Sequence, residues 1–249
     1  QPSEFSKVAV ILFLVWQISR TKSKTTGFWF MCRTMMTLLP VVGLVGSNNL
    51  STAVIILGIG VLLIFVANPR YLQFLALGGA GIGFIAVFLA AESYRLERLA
   101  IWRNPEKYEK GYQTLQGLYA IGSGGVFGVG IGNSVQKLGF VPEAQNDMIF
   151  SIICEELGLA GAGIIVFLFL LLIWRFFLIA SGSRDLFGAL IATGAMAHMM
   201  IQVILNIAVV TNTIPNTGIT LPFISYGGTS VMFLLIEMGL VLSVSQVVD

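Results

Sequence analysis

Long apolar stretches separated by polar breaks organise this chain. They cover residues 5–19, 28–46, 51–67, 71–91, 150–179, 186–211 and 221–246. A helix that crosses a bilayer takes about 20 predominantly apolar residues. The pattern therefore predicts an all-α, polytopic transmembrane bundle of seven spans. The connections are short except one, the polar segment 92–147. The chain is expected to divide into four spans over 1–91, a long extramembrane loop over 92–147 and three spans over 148–249.

The short loops predict an orientation. Arg20, Lys22 and Lys24 follow the first stretch, Arg70 sits in the next loop on that side, and Arg184 in the third, flanked by Arg175. The alternate loops 47–50 and 212–220 carry no Lys or Arg. Cytoplasmic loops are the Lys/Arg-rich ones. The first set is therefore expected inside, which puts residue 1 and the loop 92–147 outside and the C-terminus inside. The chain begins with Gln1, and an apolar run follows almost at once. With seven spans and an external start, it is expected to lack its natural N-terminus.

Composition sharpens the class. The 249 residues are 56% hydrophobic and 10% charged, with a mean hydropathy of +0.89. Soluble domains carry about 25% charged residues, so lipid must replace water around much of the surface. A net charge of +2 gives no reason to expect a nucleic-acid partner. Cys32 and Cys154 fall in or beside apolar runs, form no CxxC pair and have no His/Cys cluster nearby. Free thiols are expected and no metal site.

Several polar residues stand out. Asp147 lies where the long loop meets the stretch 150–179, after a turn that holds Pro142 and Glu143. A carboxylate there suits a helix start, and equally a general base that takes a proton from a substrate hydroxyl at the membrane surface. Glu155 and Glu156 come two turns later. Acids at such depth usually face a cavity or a cationic partner. His198, Gln202 and Asn206 share one helix face, where interhelical hydrogen bonding is the commoner role. Ser225 and Thr229 are expected to share a face of the last span beside Gly227 and Gly228, with Glu237 deeper. Glu4 and Lys7 are spaced for an i, i+3 ion pair, or for a charged pair in the same external cavity as Asp147. The run Gly122–Gly132 holds six glycines and matches no nucleotide loop. A tight re-entrant turn or a close helix approach is the expected role.

Five ordered segments resemble the SEDS family (FtsW, RodA and SpoVE), bacterial proteins of shape, elongation, division and sporulation. They are QPSEF with Lys7, the tripeptide Gly111-Tyr112-Gln113, the Gly-rich stretch 120–133, residues 139–158 (GFVPEAQNDMIFSIICEELG) and residues 215–230 (PNTGITLPFISYGGTS). The resemblance implies a ten-span fold, of which this chain would supply spans four to ten. It implies a peptidoglycan glycosyltransferase that polymerises lipid II at the outer face of the bacterial cytoplasmic membrane. Asp147 falls on the family's catalytic aspartate. Its implied task is to deprotonate the acceptor's 4-hydroxyl, which attacks C1 of the donor sugar with inversion and expels undecaprenyl diphosphate. Glu4, Lys7, Glu143, Gln145 and Ser225 are the implied substrate-binding residues. Loop cations or a divalent ion, Mg or Mn, could stabilise the leaving group, and the sequence does not choose between them. Implied partners are a class B penicillin-binding protein and other membrane proteins of division or elongation.

Two departures bear on the chemistry. Many members carry His-Thr before the catalytic Asp, where this chain has Gln145-Asn146. The family's PDLGT reads Asn48-Asn49-Leu50-Ser51-Thr52 here, without its Asp. A lipid II flippase is the competing reading. It would depend on groups in mid-membrane, such as His198, Gln202 and Glu237, rather than on Asp147.

Overall fold

The computed structural model describes residues 2–21, 27–68, 71–72, 75–76, 78–79, 81, 83 and 99–246. Its long helices are α1 (Pro2–Thr21), α2 (Phe28–Asn48), α3 (Leu50–Ala67), α4 (Tyr112–Gly124), α5 (Ile149–Gly182), α6 (Leu186–Val210) and α7 (Gly228–Ser245). No strand occurs among the described residues. The expected span 71–91 and the loop charges Lys22, Lys24, Arg70, Glu92, Arg95, Glu97 and Arg98 lie wholly or largely outside them.

Five of these helices, α2, α3, α5, α6 and α7, are long and apolar enough to cross a membrane. α1 covers the stretch 5–19 but is not among them, because Glu4, Lys7, Gln17 and Arg20 dilute its apolar run. The last helix also differs from expectation. It begins at Gly228 rather than 221, and residues 221–227 form turns. Pro222 has no N–H to give a helix, and Phe223 takes a left-handed φ of 62°.

The chain divides into two compact units. The first comprises residues 1–83, 172–201 and 228–249. Its core is aliphatic: Ile11, Leu14 and Ile18 of α1, Leu38 of α2, and Ile56, Ile59 and Leu63 of α3 are all buried. α3 meets α2 where Gly60 faces Leu38, so closely that a β-carbon on Gly60 would come within 2.3 Å of the leucine. Such small-residue contacts are how helices approach in lipid, where no hydrophobic force drives them together. Asn49 caps α3 by accepting the Thr52 N–H at 3.0 Å. Asn performs that role as well as Asp.

The second unit comprises residues 84–171 and 202–227. α4 lies beside the first turns of α5 through Gly117 and Gly124, and Thr114 and Ala120 are its other buried residues. Gly117 faces Met148, and Gly124 abuts the carbonyl of Cys154. The chain then turns through the Gly-rich run, which bonds to α5 at a break in that helix, Gly158 (φ 69°). The N–H groups of Val129 and Gly130 donate to the carbonyls of Glu155 and Glu156 at 2.9 and 3.0 Å. Those of Leu159 and Ala160 donate back to Gly125 and Val126, each at 3.0 Å. A β-carbon on Gly128 would lie 2.1 Å from the Glu156 carbonyl oxygen, and Gly128 itself has φ 77°. Only glycine satisfies both demands. The expected close approach is therefore present.

Candidate functional site

The turn 142–148 leads into α5 and carries Glu143, Gln145, Asn146 and Asp147. Its backbone is held at several points within the second unit. Asn206 of α6 donates through one amide nitrogen to the carbonyl of Asp147 at 2.8 Å and to that of Ile219 at 2.6 Å. Ser225 donates to the Asn146 carbonyl at 2.6 Å and accepts the Leu221 N–H at 2.7 Å. The Tyr226 N–H donates to the Gln145 carbonyl at 2.8 Å. Gln113, at the start of α4, donates to the Pro142 carbonyl at 3.1 Å and accepts from the Asn216 side chain at 3.0 Å.

Asp147 is 8% exposed and lines a cleft of about 320 Å³. Trp102, Lys110, Gln113, Glu143, Asn216 and Gly218 also line it. Gly218 (φ 68°) lies beside the carboxylate, and a β-carbon there would stay 4.0 Å from Oδ2. Trp102 is fixed in turn by its indole N–H, which donates to the Asn212 carbonyl at 2.9 Å. Burial pushes the Asp147 carboxyl from its ordinary 3.8 to about 6, and the negative charge of Glu143 adds to the rise. Backbone N–H groups at 147 and 148 oppose it. The result is a carboxylate mostly ionised at neutral pH yet basic enough to accept a proton.

Glu143 is exposed and has φ 54°, a backbone state that non-glycine residues rarely take. The Asn146 side chain donates to its carboxylate. Glu143 and the exposed Gln145 also line a second cavity of about 480 Å³, on residues that include Lys137, Val141 and Ile149. Glu143 thus borders both spaces.

The other expected residues fall as follows. Ser225 is outside α7, not on a helix face with Thr229, and its hydroxyl is engaged with backbone on both sides. Glu4 and Lys7 belong to the first unit. Lys7, 2% exposed, pairs with Glu4 at 2.8 Å, and Ser230 of α7 donates to the same carboxylate at 3.1 Å. His198 and Glu237 form a buried pair in that unit, Nδ1 to Oε2 at 2.8 Å. Gln202 donates to the Thr220 carbonyl at 3.0 Å. The shared helix face of His198, Gln202 and Asn206 therefore serves hydrogen bonding.

Glu155 and Glu156 bind the loop 134–137 rather than line either cavity. Glu155 accepts from the Ser134 hydroxyl, and from the Val135 N–H at 3.1 Å. Glu156 pairs with Lys137 at 2.6 Å. Gln113, Asn206, Asn216 and Gly218 frame the acid although none was singled out as a site residue. All but Asn206 lie in segments that carried the family resemblance, and Asn206 lies on the His198 face. No cluster of three or more His, Cys, Asp or Glu residues able to hold a metal occurs among the described residues.

Known proteins match this chain throughout. A family model, FTSW_RODA_SPOVE, described as cell cycle protein, matches residues 1–249. Stage V sporulation protein E of Bacillus subtilis is 42% identical over 99% of this chain and 68% of its own length. The probable peptidoglycan glycosyltransferase FtsW of Trichlorobacter lovleyi is 35% identical over 98% of this chain and 65% of its own. Among solved structures, a chain of a peptidoglycan synthase complex that coordinates polymerization and crosslinking matches with a TM-score of 0.81 and 28% identity, over 99% of this chain and 70% of that one. The rod shape determining protein RodA of Thermus thermophilus matches with a TM-score of 0.67 and 26% identity, over 99% of this chain and 65% of that one. The chain thus spans about two thirds of the length of these relatives. With the match unbroken from first residue to last, this multi-pass membrane protein belongs to the FtsW/RodA/SpoVE family.

Proposed function

We propose that the protein containing this chain is a peptidoglycan glycosyltransferase that polymerises lipid II at the outer face of the bacterial cytoplasmic membrane, with Asp147 as its general base. The observation that carries the reading is the buried carboxyl of Asp147 in the wall of a cleft, raised to about 6. In the reaction, the acceptor's sugar 4-hydroxyl gives its proton to the Asp147 carboxylate. The freed oxygen forms a bond to C1 of the donor sugar, and the bond from C1 to the diphosphate breaks with inversion. Undecaprenyl diphosphate leaves with the bonding electrons. Lys110 is the cationic residue among those that line the cleft, and it is our candidate to meet the anionic leaving group. Glu143 and Gln145 line the neighbouring cavity, which supports their role as partners for sugar hydroxyls.

The relatives' names support this class of activity, and the synthase complex supports a transpeptidase partner, a class B penicillin-binding protein. The mid-membrane groups that a flippase would need are engaged internally: His198 with Glu237, and Gln202 with Thr220. The test uses the full-length protein with its partner in liposomes supplied with lipid II. Asp147→Asn should abolish glycan chains while folding and partner binding persist. Chains formed at the parent's rate by that variant would remove the assignment. Transbilayer movement of lipid II without polymerisation by the parent would favour the flippase.

A further inference from the structure

The loop 92–147 contains a stretch that does not behave as solvated chain. Residues 111–136 include no Asp, Glu, Lys, Arg or His. Within it α4 keeps pace with the start of α5. Gly117 faces Met148 and Ser151, Gly124 faces Cys154, and Gly125–Gly130 is hydrogen-bonded to residues 155–160. The glycine turn therefore sits level with Gly158, about 15 Å along α5 from residue 148 at 1.5 Å per residue. That distance is about half the thickness of a bilayer's hydrocarbon core.

The residues that this turn presents outward are apolar. Phe127 is 85% exposed and Ile131 81%, with Val126 and Val129 beside them. The same exposed apolar surface continues along α5 through Leu159, Ile164 and Phe167. The acids at this level do not face outward alone, since Glu155 and Glu156 are taken up by Ser134, Val135 and Lys137. The backbone of the turn is also satisfied by α5, as non-helical chain at membrane depth requires.

We propose that residues 112–132 form a re-entrant hairpin whose Val126–Ile131 edge lies against lipid acyl chains, in the leaflet that holds the start of α5. The inference rests on α5 crossing the bilayer and not on the catalytic reading. α4 would then run from the Asp147 cleft, which Gln113 and Thr114 line, to a tip in hydrocarbon.

The test places nitroxide labels in the full-length protein, reconstituted in phosphatidylethanolamine/phosphatidylglycerol liposomes, with Cys32 and Cys154 replaced by alanine. Labels go on Phe127→Cys and Ile131→Cys, with Lys107→Cys as a water-facing control and Ile164→Cys as a lipid-facing one. Labels at 127 and 131 should match 164, with oxygen reaching them more readily than a nickel chelate. Labels that match 107, or that neither reagent reaches because protein covers the hairpin, would overturn the proposal. Should the variants misfold, the unaltered protein can be labelled with diazirine-bearing acyl lipids. Adducts within 119–131 are expected, and adducts on 159–171 alone would refute the hairpin's contact with lipid.

Discussion

The ionised carboxylate of Asp147 should destabilise the folded protein. Its carboxyl holds a proton up to about pH 6 in the folded state, against an ordinary value of 3.8. The folded state therefore binds more protons than the unfolded state between these values. Stability is fully present below about pH 4, falls as pH rises through 6 and stays lower above. The gap is worth roughly 3 kcal/mol at neutral pH, at about 1.4 kcal/mol per pH unit. Asp147→Asn removes the charge. It keeps an oxygen to accept the backbone N–H groups at 147 and 148. The variant of the full-length protein should then melt higher than the parent at pH 8, by on the order of 5 °C, with the two converging near pH 4. Melting curves in detergent at both pH values provide the assay. A variant that melts lower at pH 8, or one whose advantage is the same at both pH values, would refute the idea of a carboxylate ionised against its surroundings.

Glu143→Gln should shift the acid limb of the polymerisation rate below pH 6, because the neighbouring negative charge helps to raise Asp147. A pH–rate profile on lipid II reads this, and an unmoved limb would remove Glu143 from the electrostatics of the site. Gly158→Ala should lower the melting temperature steeply, since its β-carbon would lie 2.3 Å from the Val126 carbonyl oxygen at a φ of 69°. The loss is expected to exceed the roughly 1 kcal/mol of a plain Gly/Ala propensity difference, and a melt unchanged from the parent would count against the hairpin's close seat on α5.

Much of the helical layout is legible in the sequence, because apolar length is a direct response to the bilayer. The stretches 28–46, 51–67 and 186–211 differ by a residue or two from α2, α3 and α6. The stretch 221–246 overreaches because hydropathy does not separate an apolar turn from an apolar helix. Leu221, Phe223 and Ile224 are apolar, yet the chain there folds back to the acid turn through Ser225 and Tyr226. Asp147 is legible from its place at the loop's end, whereas its setting is not. The cleft walls come from residues 101–102, 110, 113–114 and 216–218, which only tertiary folding brings together. Glu156 meets the cationic partner expected of an acid at that depth, Lys137, whereas the partners of Glu155 are not legible, for the same reason. The groups that satisfy both acids lie about 20 residues upstream, in a loop whose path the sequence does not disclose.

The arrangement around the acid follows from the cost it imposes. A carboxylate disfavoured by burial can relax by turning its loop outward into water. The Glu143 backbone, in a left-handed state that costs about 1–3 kcal/mol, offers a second drive to rearrange. Both routes require the turn 142–147 to leave its place, and hydrogen bonds to four of its carbonyls oppose that. They come from Gln113 to residue 142, Tyr226 to 145, Ser225 to 146 and Asn206 to 147. At about 1 kcal/mol each, they are comparable to the combined penalty only if they act together. The donors come from three separate points of the second unit, Gln113, Asn206 and the adjacent pair Ser225 and Tyr226, so no single local motion releases all four bonds. Gln113 and Asn206 add a further link, since each also bonds the segment 216–219, of which residues 216–218 line the cleft. Opening the turn therefore means dismantling the cleft, and the carboxyl is kept in its unfavourable position by everything that shapes the space in front of it.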